Sequence, residues 1–382
     1  MIDYLKEYTE MNRGLKSSKK YYSLSNILKE RGTYNVVVGE RSNGKTYAVL
    51  SLFIWLYAKY KIQGAIIRRW DEDFKGKRGK TMFANHVANG LIDKYTNGEY
   101  NTIYSYSGQW FFAYQENGEI KRTNDEPFCF GFSLSAMEHD KSSSYPRVKT
   151  VVFDEFITRG YYLPDEFIVF QNVLSTIIRE RDDVNIFMLG NTVNKYCPYF
   201  KEMGLINVSK MKQGVIDVYT YGDNTELRVV VEFSDSPLKK KKSDKYFAFN
   251  NPRLKMITSG TWEISIYPHL PIKYKDNDIY FIYFIIFEGS TLQCEIIFKD
   301  GNYFTYIHNK TTPIKNPNKD IVYQQDYDAR PNYYRKITKP RSELEKKIAW
   351  FFINDKVFFQ DNEVGEIVRN YLMWCNTDKG II

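Results

Sequence analysis

The chain has 382 residues, enough for two or three domains that each bury a core. Charged residues make up 26% and the hydrophobic class 43%, which excludes wholesale disorder. Lys and Arg number 54 against 46 Asp and Glu, a net charge of +8; the aromatic share of 17% fits a nucleic-acid binder or simply AT-rich coding. The longest apolar run of the second half, Ile279 to Phe287, has nine residues, against about 20 for a membrane helix. The start, Met1-Ile2-Asp3-Tyr4, lacks the apolar core of a secretory signal. Cys129, Cys197, Cys294 and Cys375 form no CxxC pair, which argues against a zinc site or a disulfide framework and favours a reducing, intracellular setting.

In chain order, residues 1–33 read as helical and end at Arg31-Gly32. Tyr34 to Val38 predicts a short buried strand, and a helical pattern runs on to about Lys61. Ala65 to Arg68 is a second buried strand, and residues 71–100 are polar and helix-like. Residues 102–132 alternate aromatic and polar side chains around Asn117-Gly118, a hairpin turn signal. Thr150 to Phe153 and Asn185 to Leu189 are further buried strands. Strands alternating with helices predict an α/β domain over 1–233 with a mostly parallel sheet. Residues 234–260 read as a linker with short helices. Strand patterns then follow at Trp262–Tyr267, Ile279–Phe287, Leu292–Phe298 and Tyr303–His308, and helical ones at Ser342–Phe352 and Val364–Trp374. Residues 261–382 therefore predict a smaller α+β domain.

Gly39-Glu40-Arg41-Ser42-Asn43-Gly44-Lys45-Thr46 satisfies G-x-x-x-x-G-K-[ST]. A strand runs into Gly39 and a helix leaves Thr46, the context this phosphate-binding loop requires. Such a loop turns backbone N–H groups onto phosphate oxygens, Lys45 brings a charge to the β- and γ-phosphates, and the Thr46 hydroxyl suits Mg²⁺. Val151-Val152-Phe153-Asp154-Glu155 is an apolar strand ending in two acids. Asp154 suits the Mg²⁺ shell, and Glu155 suits polarisation of an attacking water. The interval between Lys45 and Asp154 leaves room for the strand at 65–68 between the two motif strands. ATP with Mg²⁺ is the expected substrate pair. The water-activating acid favours a motor-type NTPase over a P-loop phosphotransferase acting on a small molecule.

Two further elements are open on chemistry alone. Arg179 and Arg181, in Thr176-Ile177-Ile178-Arg179-Glu180-Arg181, suit either a γ-phosphate of a neighbouring subunit or surface pairs with Asp182 or Asp183. Asn191, in Leu189-Gly190-Asn191-Thr192, is either a γ-phosphate sensor or a strand-end turn.

The order Gly39–Thr46, Ile67-Arg68-Arg69, Lys141-Ser142-Ser143-Ser144-Tyr145-Pro146, Val152-Phe153-Asp154-Glu155-Phe156, Ile178-Arg179-Glu180-Arg181 and Leu189-Gly190-Asn191 resembles the genome-packaging ATPases (encapsidation proteins) of small podophages with protein-primed linear DNA. The resemblance is dense over about 30–200 and architectural only from 261. It implies an additional-strand, conserved-glutamate P-loop ATPase that translocates double-stranded DNA as a ring, usually a pentamer, at the portal of an empty prohead in the host cytoplasm, with a packaging RNA as scaffold. It implies that Lys45 and Thr46 bind phosphate and Mg²⁺, that Asp154 holds the metal, that Glu155 is the catalytic glutamate and that Arg179 is a finger acting in trans. Lys141 matches a basic residue facing the neighbouring site or the pore, and Arg181 has a matching arginine. The C-terminal part resembles a ribonuclease-H-like domain, but Asp276, Asp278 and Asp300 fall in loops or turns, so nuclease activity is not expected.

A translocase grips phosphates rather than bases. Residues 234–260 carry seven basic and two acidic side chains, among them Lys239, Lys240, Lys241 and Lys242, and hold most of the net charge. Lys75, Lys77, Arg78 and Lys80 lie between Gly76 and Gly79 or beside them, which predicts a mobile pore loop or a solvated turn. Arg335 and Lys336 follow Tyr333-Tyr334, a pattern suited to stacking on nucleic acid or to capping a core.

Overall fold

The computed structural model describes residues 3–14, 22–139, 144–222, 227–235 and 262–377. The chain divides into two compact units, Met1–Trp262 and Glu263–Ile382.

The first unit is built on one ten-stranded sheet. Its strands are β1 (Tyr34–Gly39), β2 (Gln63–Arg68), β3 (Thr102–Tyr106), β4 (Gln109–Glu116), β5 (Glu119–Thr123), β6 (Cys129–Ser133), β7 (Val148–Asp154), β8 (Asn185–Asn191), β9 (Ile216–Tyr221) and β10 (Leu227–Phe233). The order is β3-β4-β6-β2-β7-β8-β1-β10-β9, with β5 on β4. From β6 to β10 every pairing is parallel. The strand standing between β1 and β7 is thus β8. The strand at 63–68, expected in that place, lies on the outer side of β7. Chain order hides this, because β8 comes last of the four yet inserts at the centre.

Alternate residues of each central strand face opposite layers. Val37, Ile66, Val152 and Phe187 pack with α1 (Tyr4–Gly14) and α2 (Lys45–Tyr60). After α2 come three short helices, α3 (Gly76–Thr81), α4 (Ala84–Ala88) and α5 (Leu91–Tyr95). On the other face Val36, Val38, Val151 and Phe153 pack with α6 (Glu166–Ile178) and α7 (Pro198–Glu202). Asn117-Gly118 makes the β4–β5 hairpin turn, with φ of 51° and 84°.

In the second unit, β11 (Ile279–Phe287), β12 (Ser290–Lys299) and β13 (Asn302–Asn309) form an antiparallel meander. β14 (Ile321–Gln324) adds parallel to β11, β15 (Tyr333–Tyr334) parallel to β14, and β16 (Val357–Phe359) parallel to β13. A meander extended by parallel strands beside its first strand is the ribonuclease-H-like arrangement. Here α8 (Glu343–Ile353) and α9 (Asn362–Thr377) both follow β15, and Ser342 and Glu345 cap α8 reciprocally. Trp262–Tyr267, expected as a strand, is not one. Its backbone N–H groups serve side chains of α9: Ser265 donates to Glu366 and Tyr267 to Asn362. No helix among the described residues is long and apolar enough to cross a membrane.

Candidate active site

The parallel strands end on one edge of the sheet, and the two motifs meet there, where α/β proteins bind ligands. The loop from Gly39 leads into α2 through Gly44, whose φ of 95° suits a residue without a side chain. Lys45 is 6% exposed and its ammonium donates to Gly39 O (3.3 Å), Glu40 O (2.8 Å), Asn43 Oδ1 (3.2 Å) and Asn191 Oδ1 (3.3 Å). Burial lowers its pKa to about 8, against the opposing pull of Asp154 and Glu40. Thr46 Oγ1 donates to Asp154 Oδ1 at 2.9 Å, joining the loop to the end of β7.

Glu155 follows with φ of 62°, turning the chain out of β7, and its side chain is 60% exposed. The Asn191 side chain reaches Lys45 from the tip of β8, in register with Gly39. Arg41, Ser42, Asn43, Lys45, Asp154, Glu155 and Asn191 line one cleft of about 640 Å³, a size suited to a nucleotide. A hydroxyl and a carboxylate 2.9 Å apart are hard oxygen donors, and Mg²⁺ commonly takes one or two protein ligands and completes its shell with phosphates and water. Thr46 and Asp154 fit that ion.

Four supports escaped the sequence reading as members of the site. Arg68 donates to Asp154 Oδ2 (2.5 Å) and Glu155 Oε2 (3.1 Å). Arg69 pairs with Glu166 through Nε and Nη2 at 2.7 and 2.8 Å, and Nη2 also donates to Phe156 O at 2.8 Å. Both carboxylate oxygens of Glu166 are further engaged, by Leu163 N–H and Tyr199 O–H. Ser234 stands so close to the loop that a Cβ on Gly39 would lie 2.0 Å from its Oγ; that Oγ accepts from Asn43 Nδ2 at 2.9 Å. The motif words point to Gly39–Thr46 and Asp154-Glu155 but carry no sign of these partners, except the Arg68-Arg69 doublet closing β2.

The remaining candidates lie elsewhere. Arg179 is exposed at the C-terminal end of α6, about 20 Å along the helix from Glu166. It lines a separate cleft with Ser144, Tyr145 and Asn172, so it does not reach its own chain's loop. The Arg181 guanidinium donates to the carbonyls of Tyr145, Pro146, Val148, Ile177 and Ile178, so it ties α6 to the start of β7.

Lys75, Lys77, Arg78 and Lys80 sit at or on a short helix, not a loop. Lys75 pairs with Asp71 and Arg78 with Asp73, while the Gly79 carbonyl accepts from Trp110 Nε1. Arg335 is held within its own unit. It stacks on Tyr327 (4.0 Å) and Trp374 (5.1 Å) and donates to Gln325 O, while Arg330 covers Tyr333 at 3.8 Å. Its neighbour Lys336 is half-buried. Lys141 and Lys239 to Lys242 lie outside the described residues.

The profile of the podovirus DNA encapsidation protein (Gp16) family matches residues 16–374. The chain belongs to that family. A DNA packaging protein of Bacillus phage PZA is 26% identical over 368 residues, 92% of this chain and 95% of that protein. The match to a DNA packaging protein of Bacillus phage B103 is 29% identical over 175 residues and spans about half of each, 45% of this chain and 48% of that protein. Among solved structures, the bacteriophage Phi-29 viral genome packaging motor assembly matches with TM-score 0.53 and 21% identity over 92% of this chain and 97% of that chain. The Phi-28 gp11 DNA packaging motor matches with TM-score 0.52 and 17% identity over 96% and 100%. At those identities the likeness concerns the fold, and it extends over both units. Family membership makes this podovirus encapsidation protein a DNA packaging protein with an ATPase fold, and sets the small-molecule phosphotransferase reading aside.

Proposed function

We propose that this encapsidation protein hydrolyses ATP to drive double-stranded viral DNA into a preformed prohead, acting as one subunit of a homo-oligomeric ring at the portal vertex in the host cytoplasm. The observation that carries this is the meeting of Lys45, Thr46, Asp154 and Glu155 in one cleft. In this reading Glu155 takes a proton from the water whose oxygen attacks the γ-phosphorus. The bond from that phosphorus to the β–γ bridging oxygen breaks, and Lys45 stabilises the charge left on the β-phosphate. Thr46 and Asp154 would hold Mg²⁺, which would supply neutralisation of the phosphate charge. Asn191 is the proposed γ-phosphate sensor, a reading its shared contact with the Lys45 ammonium supports.

Arg179, remote from its own cleft, enters that of the next subunit. A pentamer is the proposed ring, docked on the portal with a packaging RNA as scaffold. Lys75, Lys77, Arg78 and Lys80 are the proposed DNA contacts. Nuclease activity forms no part of the proposal.

The test is ATP turnover by the full chain with and without linear double-stranded DNA, alongside its mass in solution. Turnover should rise with DNA and with assembly. Glu155→Gln should bind ATP as the wild type does and not turn it over. A monomer whose turnover ignores DNA would overturn the reading.

A further inference from the structure

Tyr47, the residue after Thr46, lines the nucleotide cleft and is clasped three ways by one neighbouring segment. Its ring lies on the imidazole of His86 in α4, with centroids 4.2 Å apart and planes 10° from parallel. Its carbonyl accepts from His86 Nε2 at 3.0 Å, which makes Nε2 the protonated nitrogen. Its hydroxyl accepts from Asn89 Nδ2 at 3.0 Å. His86 is 2% exposed, and burial lowers its pKa to about 4, so the ring stays neutral at physiological pH.

The contacts continue away from the cleft. His86 meets Phe83 (5.7 Å), Phe83 meets Trp110 (5.7 Å), and Trp110 Nε1 donates to Gly79 O of α3 at 2.9 Å. α3 carries Lys77, Arg78 and Lys80. Its other end is also tied to the cleft: Trp70 and Asp73 line it, and Arg78 pairs with Asp73 at 3.5 Å. The basic helix therefore sits on a strap, residues 70–89, with both ends fixed to residues that border the nucleotide.

We propose that His86 is a positioning residue that links the Tyr47 side of the nucleotide cleft to the basic helix α3, so that the nucleotide sets how tightly this segment holds DNA. The inference rests on the packaging-ATPase reading and on α3 touching DNA. It uses a contiguous row of packed rings whose far end is the backbone of the basic helix, the kind of physical network through which two sites share energy. Binding in the cleft shifts Tyr47, and the stack and two hydrogen bonds carry that shift into the strap. By reciprocity, DNA on the strap alters nucleotide affinity by the same factor.

The experiment measures the affinity of the full chain for a fluorescent 30-base-pair duplex at one fixed salt concentration, with and without Mg²⁺–ATPγS. The ratio of the two affinities is the readout. For the wild type it should differ from one by about fivefold or more. His86→Leu, of similar volume, should bring it at least threefold closer to one while affinity without nucleotide stays within about twofold. His86→Gln, which keeps a donor for the Tyr47 carbonyl, should recover part of the ratio. Asn89→Ala, an exposed change that leaves the core intact, should lower it in the same direction and serves if His86→Leu does not fold. A wild type with the expected ratio that both His86→Leu and Asn89→Ala reproduce in full, or Asn89→Ala alone where His86→Leu does not fold, would overturn the link alone. A wild type that does not bind DNA overturns the packaging reading with it.

Discussion

Arg68 holds both acids of the site, standing 2.5 Å from Asp154 Oδ2 and 3.1 Å from Glu155 Oε2. A cation on Asp154 competes with any metal there. In Arg68→Met, Asp154, at 4% exposure, loses its guanidinium partner and keeps the hydrogen bond from the Thr46 hydroxyl. Removing one partner of a buried pair costs about 3 kcal/mol. The variant should melt several degrees below the wild type in EDTA. Because its Mg²⁺ site no longer competes with a guanidinium, millimolar Mg²⁺ should raise its melting temperature more than that of the wild type. Equal Mg²⁺ shifts in the two proteins would contradict the competition.

Lys45 gives a pH signature. Its pKa falls from 10.5 in the unfolded chain to about 8 in the fold. Between those values the unfolded chain binds more protons, so stability rises with pH across that window. Below pH 8 the burial cost is fully present, on the order of 3 kcal/mol before its four hydrogen bonds are counted. Lys45→Met should therefore melt at or above the wild type at pH 7, and the gap should close by pH 10. Its affinity for ATP should fall by a hundredfold or more, about the loss of a buried charge–phosphate contact. A variant that melts well below the wild type at every pH would refute this account of the lysine.

How much of this was legible in the sequence follows from the range of each interaction. Gly39–Thr46 and Val151–Glu155 announce themselves because strand, turn and helix signals are local, and their chemistry depends on residue type at fixed spacing. Asn191 is legible as a polar tip on an apolar strand. The placing of β8 between β1 and β7 is a long-range pairing with no local sign. Ser234, Glu166 and Tyr22 are ordinary residues until the fold brings them in: Tyr22 donates to Glu232 at 2.7 Å and its N–H to Asn43 O at 2.9 Å. Burial lifts the Glu232 carboxyl to about 7. Trp262–Tyr267 misled because alternating apolar residues predict an extended chain, and extended chain is also what a segment lying across a helix adopts.

Glu166 has four donors aimed at two oxygens: Arg69 twice, Leu163 N–H and Tyr199 O–H. An amide would turn an NH₂ against donors and leave the Arg69 charge buried alone. Glu166→Gln should cost roughly 3–5 kcal/mol in denaturant unfolding. The double change Arg69→Met with Glu166→Leu should cost less than the sum of the two single changes, because it leaves no unpaired charge. Strict additivity would mean that the pair does not act as a unit.

Arg179 and Arg181 are two residues apart, yet the fold gives them opposite work. Arg181 spends its guanidinium on five backbone carbonyls, so Arg181→Ala should lower stability by roughly 2–3 kcal/mol and reduce turnover only through folding. Arg179 is exposed, so Arg179→Ala should leave the melting curve within about 0.5 kcal/mol of the wild type. If it acts on a neighbour, the assembled Arg179→Ala protein should be inactive alone. Mixing it with Lys45→Met subunits should restore hydrolysis, because sound phosphate loops then sit beside intact arginines. Lys45→Met alone is inactive, so any recovered turnover reports that shared site. A mixture as silent as its parts would place the arginine outside the reaction.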